Sequence, residues 1–87
     1  MTTRSEKFES NVATQVNLTK NGIYEVFCNE GDLREYWGLD GNLDSPMMKK
    51  CYVPIYNGTI LSISFEKGRA IRNLLDEAGV DTLDELY

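Results

Sequence analysis

The chain reads as an α+β domain in which two β-hairpins are each followed by a helix, a ββαββα order, with helices packed on one face of an antiparallel sheet. Three observations predict this. Asn-Gly pairs at 21–22 and 57–58 each separate two strand-like runs. The segment ending at Ala78 carries an apolar stripe of helical period. A content of 41 % hydrophobic residues over 87 positions is that of a folded chain with one modest core.

Residues 1–10 are polar apart from Phe8 and Met1 and read as a flexible arm, leaving 11–87 as a single domain. From Asn11 to Thr19 apolar and polar residues alternate, with Val12, Thr14, Val16 and Leu18 on one side, the pattern of a half-buried strand. Lys20-Asn21-Gly22 then turns into the run Ile23 to Cys28. A three-residue loop is the expected register, because it sets Leu18 opposite Tyr24 and Val16 opposite Val26, whereas a two-residue loop sets Leu18 against Glu25.

The same chemistry recurs 36 residues later, where Cys51–Ile55 and Thr59–Phe65 flank Tyr56-Asn57-Gly58. A three-residue loop would put Cys51, Val53, Ile55, Thr59, Leu61 and Ile63 on one face, with Phe65 extending it. Pro54 lacks an N–H, so its strand is expected at a sheet edge or with the ring nitrogen facing outward. Recurring hairpin chemistry accounts for this echo without requiring a duplicated unit.

Glu30–Trp37 reads as a short helix capped by Asn29. A stronger helix runs from Ser64 or Phe65 to Ala78, with Ala70, Ile71, Leu74, Leu75 and Ala78 on one stripe. Gly79 stands where a left-handed cap belongs, Val80 can close it against Leu75, and Asp81 is placed to cap a last turn through Leu83 and Leu86.

Charge narrows the function. Nine basic against fourteen acidic residues give a net charge of −5, which opposes direct binding to nucleic acid or anionic membrane and favours a basic protein surface. Six acids and one base lie between Glu25 and Asp44, and five acids and no base between Asp76 and Glu85. Bases concentrate between these runs, at Lys49, Lys50, Lys67, Arg69 and Arg72.

Catalytic chemistry finds little foothold. Histidine is absent, which removes serine–histidine and cysteine–histidine nucleophilic systems and the commonest metal ligand. Cys28 and Cys51 lie 23 positions apart, too few and too loosely spaced for a disulfide framework, and read as buried reduced thiols. Asp40-Gly41-Asn42-Leu43-Asp44-Ser45 starts like a calcium loop, but Ser45 stands where glycine is needed and Cys51 where the bidentate glutamate belongs. Glycines 38 and 41 follow a weak helix rather than a strand, so no phosphate-binding fingerprint is present. The segment Leu74 to Leu83 resembles one limb of a helix-hairpin-helix element, but it lacks the second glycine and its acids would repel phosphate.

No apolar run approaches the ~18 residues a bilayer span needs, and the charged N-terminus is unlike a secretory leader, so a cytoplasmic protein is expected. The reading that follows is a non-enzymatic binding module without cofactor or metal, docking on a basic surface of a larger protein, including surfaces that bind nucleic acid. In size and charge the chain is similar to small acidic phage proteins that inhibit host defence nucleases. The expected contact residues are Glu30, Asp32, Glu35, Tyr36, Trp37, Asp40 and Asp44, since aromatics beside clustered carboxylates suit an interface. Two alternatives come from other classes. One is a small-ligand or nucleotide-sequestering protein using Tyr52, Tyr56, Lys67, Arg69 and Arg72; the other is an assembly subunit forming a homodimer or larger homo-oligomer.

Overall fold

A computed structural model describes residues 3–41 and 43–86. The elements run α1 (Arg4–Ala13), β1 (Gly22–Asn29), α2 (Glu30–Tyr36), β2 (Met48–Tyr56), β3 (Thr59–Ile60), α3 (Lys67–Ala78) and a 3₁₀ turn over Leu83–Glu85. The strands form one antiparallel sheet in the order β1-β2-β3. The α+β class is as expected, but the order is αβαββα.

The main departure is at the start. The arm expected for residues 1–10 is helical from Arg4, and the strand expected from Asn11 to Thr19 is the end of that helix followed by turns. Thr3 accepts from the Glu6 backbone N–H at 3.1 Å and caps α1. Thr3-Arg4-Ser5-Glu6 has the spacing of a capping box, and Phe8 and Val12, one turn apart, are both buried. Those two signals outweigh the alternation at Val12, Thr14, Val16 and Leu18, because Val12 serves a helix stripe as well as a strand face.

With no strand before it, the first Asn-Gly makes no hairpin. β1 instead pairs with β2 along its whole length, from Gly22 opposite Ile55 to Asn29 opposite Met48. The Asn21 side chain accepts from the Asn57 backbone N–H at 2.9 Å, so one Asn-Gly supports the turn made by the other.

The second hairpin forms with a two-residue loop rather than three. Tyr56 faces Thr59 and Ile55 faces Ile60. Asn57 and Gly58 both have positive φ, at 50° and 77°, as the tight primed turns demand. The shorter loop puts Ile60, not Thr59 and Leu61, against the core. The rest of the expected inward face survives because the pairing slips by one residue beyond the hairpin: Leu61 N–H donates to the Pro54 carbonyl, whereas Tyr52 pairs with Ser64. Cys51, Val53, Ile55 and Ile63 are consequently all fully buried.

β2 is the central strand, not an edge. Pro54 is tolerated there because its carbonyl faces β3, which places the ring nitrogen on the side where regular pairing ends after Ile60.

The helices also fail to share a face. Phe8, Val12 and Leu33 of α1 and α2 join Val26, Cys28, Cys51, Val53, Ile55 and Ile63 in one core on the inner face of the sheet. The buried Ala70 and Leu74 of α3 lie outside that cluster, and α3 packs chiefly on β2. Asn73 donates to Ser62 at 2.7 Å, and Ser62 alternates with the inward Ile63. α3 therefore covers the outer face, where the buried Pro54 and Ser64 lie.

α3 begins at Lys67, a few residues later than the periodicity predicts, because Tyr52–Ser64 pairing keeps the chain extended. Its end is as predicted: Gly79 is left-handed at φ 71°, and the N–H groups of Gly79 and Val80 both donate to the Leu75 carbonyl. The last turn is capped at Thr82 rather than Asp81, with the Glu85 carboxylate accepting from both backbone N–H groups.

Cys28 and Cys51 are joined in a disulfide, correcting the expectation of free thiols. Because β1 pairs with β2, the two residues lie diagonally on the same inward face with Cα atoms 6.4 Å apart, inside the usual span for the bond. Among the described residues no helix is long and apolar enough to cross a membrane.

Candidate interaction site

The connection from β1 to β2, residues 30–47, holds every residue expected to contact a partner. It leaves the sheet at Asn29, whose side chain accepts from the Asp32 N–H at 3.0 Å and starts α2. The Cys28–Cys51 bond ties the strands together at its base.

Its carboxylates are partly spoken for. Arg4 donates from Nε to Asp32 at 2.7 Å and from Nη1 to Glu35 at 3.1 Å, and its Nη2 reaches the Leu43 carbonyl. The hydrogen bond to Asp32, reinforced by the charges of Asp32, Glu35 and Asp44, raises the guanidinium pKa above its ordinary value against the opposing effect of desolvation. Glu30 pairs with Lys49 at 3.5 Å. Arg34 turns to the loop backbone, donating to Gly41 O at 2.9 Å and Asp40 O at 3.4 Å. Asp40 and Asp44 remain exposed.

Arg4 thus folds the loop back onto α2. Gly31 permits the approach, since a β-carbon there would collide with the Leu43 carbonyl. Sequence reasoning did not single out Arg4. A base in the supposed arm carried no pairing signal until α1 set it beside α2.

Tyr36 and Trp37 extend an aromatic series from core to surface. Phe8 and Tyr36 rings lie 5.7 Å apart, and Trp37 meets Tyr36 edge-on at 5.6 Å. Burial, and secondarily the charge of Glu9, raises the Tyr36 phenol pKa. The Trp37 indole N–H donates to the Ile63 carbonyl at 2.6 Å, yet 43 % of the residue stays exposed. Trp37 is therefore both anchored and presented.

Beside it lies a shallow groove of about 210 Å³ lined by Trp37, Leu39, Ser64, Phe65, Glu66 and Arg69. Glu66 and Arg69 pair across one helical turn at 3.7 Å. The groove brings together Trp37 from the expected partner set and Arg69 from the expected ligand set. It also adds Leu39, which the sequence left unassigned, and Phe65, expected to extend the inward face of the second hairpin but 38 % exposed, because both depend on how the loop meets the start of α3.

The rest of the ligand set is dispersed. Tyr56 sits at the hairpin turn opposite Thr59, Tyr52 is half-buried opposite Ser64, and Lys67 and Arg72 are exposed on α3. Among the described residues no group of three acidic or sulfur side chains is arranged to hold a metal ion. Asn42, in the loop that begins like a calcium site, lies outside the described residues.

No protein-family model matches this chain, and no curated protein or solved structure matches it.

Proposed function

We propose that the chain is a non-enzymatic protein-binding module that docks through the β1–β2 connection on a basic surface of a larger protein, acting as a small acidic inhibitor of it. The observation that carries this reading is Trp37, held by its indole N–H yet 43 % exposed, in a groove with the exposed Leu39 and Phe65. A pre-positioned aromatic loses little conformational freedom on binding, which is why tryptophan recurs among residues that dominate interface energy. Exposed Glu35, Asp40 and Glu66 adjoin it in sequence or line the same groove, and a basic partner would be drawn by them and by the net charge of −5.

Enclosure of a small ligand is the second reading, favoured by Arg69 beside two aromatic side chains. At about 210 Å³ the groove falls below the roughly 300 Å³ at which ordinary ligand pockets begin, so protein contact is preferred.

The test is capture from native lysate by the tagged chain at low and high salt, alongside Trp37→Phe and Asp40→Lys/Asp44→Lys baits. Asp40 and Asp44 are chosen because reversing Asp32 or Glu35 would break the Arg4 pairs that hold the loop. A stoichiometric partner retained by the wild type, weakened by Trp37→Phe and lost with the double reversal supports the reading. A partner held equally by all three baits overturns it.

A further inference from the structure

Outside the groove, and apart from Met47 in the loop before β2, two large exposed apolar side chains lie on the outer face of the sheet. Phe27 is 58 % and Met48 59 % exposed. β1 and β2 register places Phe27 opposite Lys50 and Asn29 opposite Met48, and side chains two positions apart share a face, so Glu25, Phe27, Met48 and Lys50 form one surface. All four are exposed. α3 covers the other half of the outer face, over Pro54, Ser62 and Ser64, and stops short of them.

We infer that this open half is a self-association surface, where a second copy of the chain packs sheet face to sheet face with Phe27 beside the two-fold axis and Met48 at the rim, and with Glu25 of each copy meeting Lys50 of the other.

Charge favours a second copy as occupant. The chain has a net charge of −5, but this patch carries one carboxylate and one ammonium, so it offers neither an acidic nor a basic partner a net attraction. A two-fold axis converts that balance into complementarity, because an isologous interface sets each residue of one copy against its counterpart's neighbour and repeats the contact in reverse. Lys50 faces Phe27 across the strands and Glu25 lies one row away, diagonal to Lys50, so a two-fold axis passing between them allows both crossed pairs to form with Phe27 beside the axis. Neighbouring Lys49 is already engaged by Glu30 and does not disturb the balance.

The backbone argues for face-to-face rather than edge-to-edge contact. β1 is an outer strand, and at Phe27 its free edge is filled by the Gln15 side chain, which donates to the Phe27 carbonyl at 3.2 Å and accepts from the Phe27 N–H at 3.4 Å. An added strand would have to displace it. Packed sheet faces need no such opening.

So small a patch belongs at the weak end of protein interfaces, so association is measured by sedimentation equilibrium from about 10 µM to about 1 mM at ~0.15 M salt. The mass is expected to rise from 9.9 kDa towards twice that value. Phe27→Ser and Lys50→Glu, each verified as folded by circular dichroism, are expected to weaken association at least about tenfold. Glu25→Lys/Lys50→Glu restores it to near the wild-type level, because the crossed pairs re-form with signs exchanged. A mass of one chain throughout the range overturns the proposal, and so does a dimer indifferent to Phe27→Ser or a charge swap that fails to rescue. Trp37→Phe leaves the dimer intact, which separates this surface from the groove.

Discussion

The two faces of the sheet are built from the same strands and end differently. On the inner face, α1 and α2 seal Cys51, Val53, Ile55 and Ile63 against Phe8, Val12 and Leu33 until nothing but core remains. On the outer face, α3 buries Ala70 and Leu74 over part of the sheet and leaves Phe27, Met48 and Lys50 in the open. The alternation Tyr24-Glu25-Val26-Phe27-Cys28 makes both outcomes from one strand. A sealed face carries stability; a half-covered one leaves apolar surface for contact.

The largest expected effect sharpens this contrast. Leu33→Ala removes a fully buried side chain from the closed core and is expected to cost about 3–5 kcal/mol, whereas Leu74→Ala costs about 2–3, because the half-buried Ile71 and Leu75 around it can close the gap. Urea unfolding of both variants measures the difference. Equal losses would mean that the outer face is as tightly packed as the inner.

The disulfide belongs to the inner face and comes next. Reduction is expected to lower stability by about 3 kcal/mol, from the loop of 23 residues it closes. Thermal melts with and without dithiothreitol, with intact mass to verify the redox state, test it. An unchanged melting temperature would mean that packing alone holds β1 to β2.

Gly31→Ala addresses the seam between α2 and its loop. The added methyl meets the Leu43 carbonyl and forces the loop outward, at an expected cost of about 1–3 kcal/mol. Weaker quenching protection of Trp37 fluorescence would accompany it, and an unaltered spectrum with full stability would show that the loop moves freely.

The smallest effect is alkaline. Burial raises the Tyr36 phenol above its ordinary value of 10.0. As pH climbs past that value the unfolded chain loses the proton while the folded chain keeps it, so stability falls with rising pH. Tyr36→Phe is expected to shed this part of the decline, and parallel slopes above pH 10 in the two proteins would refute it.

Much of the second half of the fold was legible. Gly79 ended α3 because an αL cap is local chemistry, and Asn29 capped α2 for the same reason. The inward set Cys51, Val53, Ile55 and Ile63 was also readable, although the loop that produced it was not: the one-residue slip after Ile60 compensates for a shorter turn. The first half misled because Val12 fits a helix stripe and a strand face equally, and a wrong strand there gave β1 a wrong partner. Of the site, the acidic residues and Trp37 were visible as a cluster. Their pairing with Arg4 and Lys49 was not, since those bases lie up to 31 positions away or on another strand.

By itself the sequence determined what depends on neighbours along the chain: the α+β class, the caps at Asn29 and Gly79, the presence of a turn at Asn57-Gly58 and the acidic, histidine-free composition. Tertiary structure decided what depends on distant pairing, namely that β1 joins β2, that Cys28 meets Cys51, that α3 takes the opposite face, and that Leu39 and Phe65 flank Trp37. Local rules act over a few residues, whereas these choices were made by which long-range packing buried the most apolar surface at once.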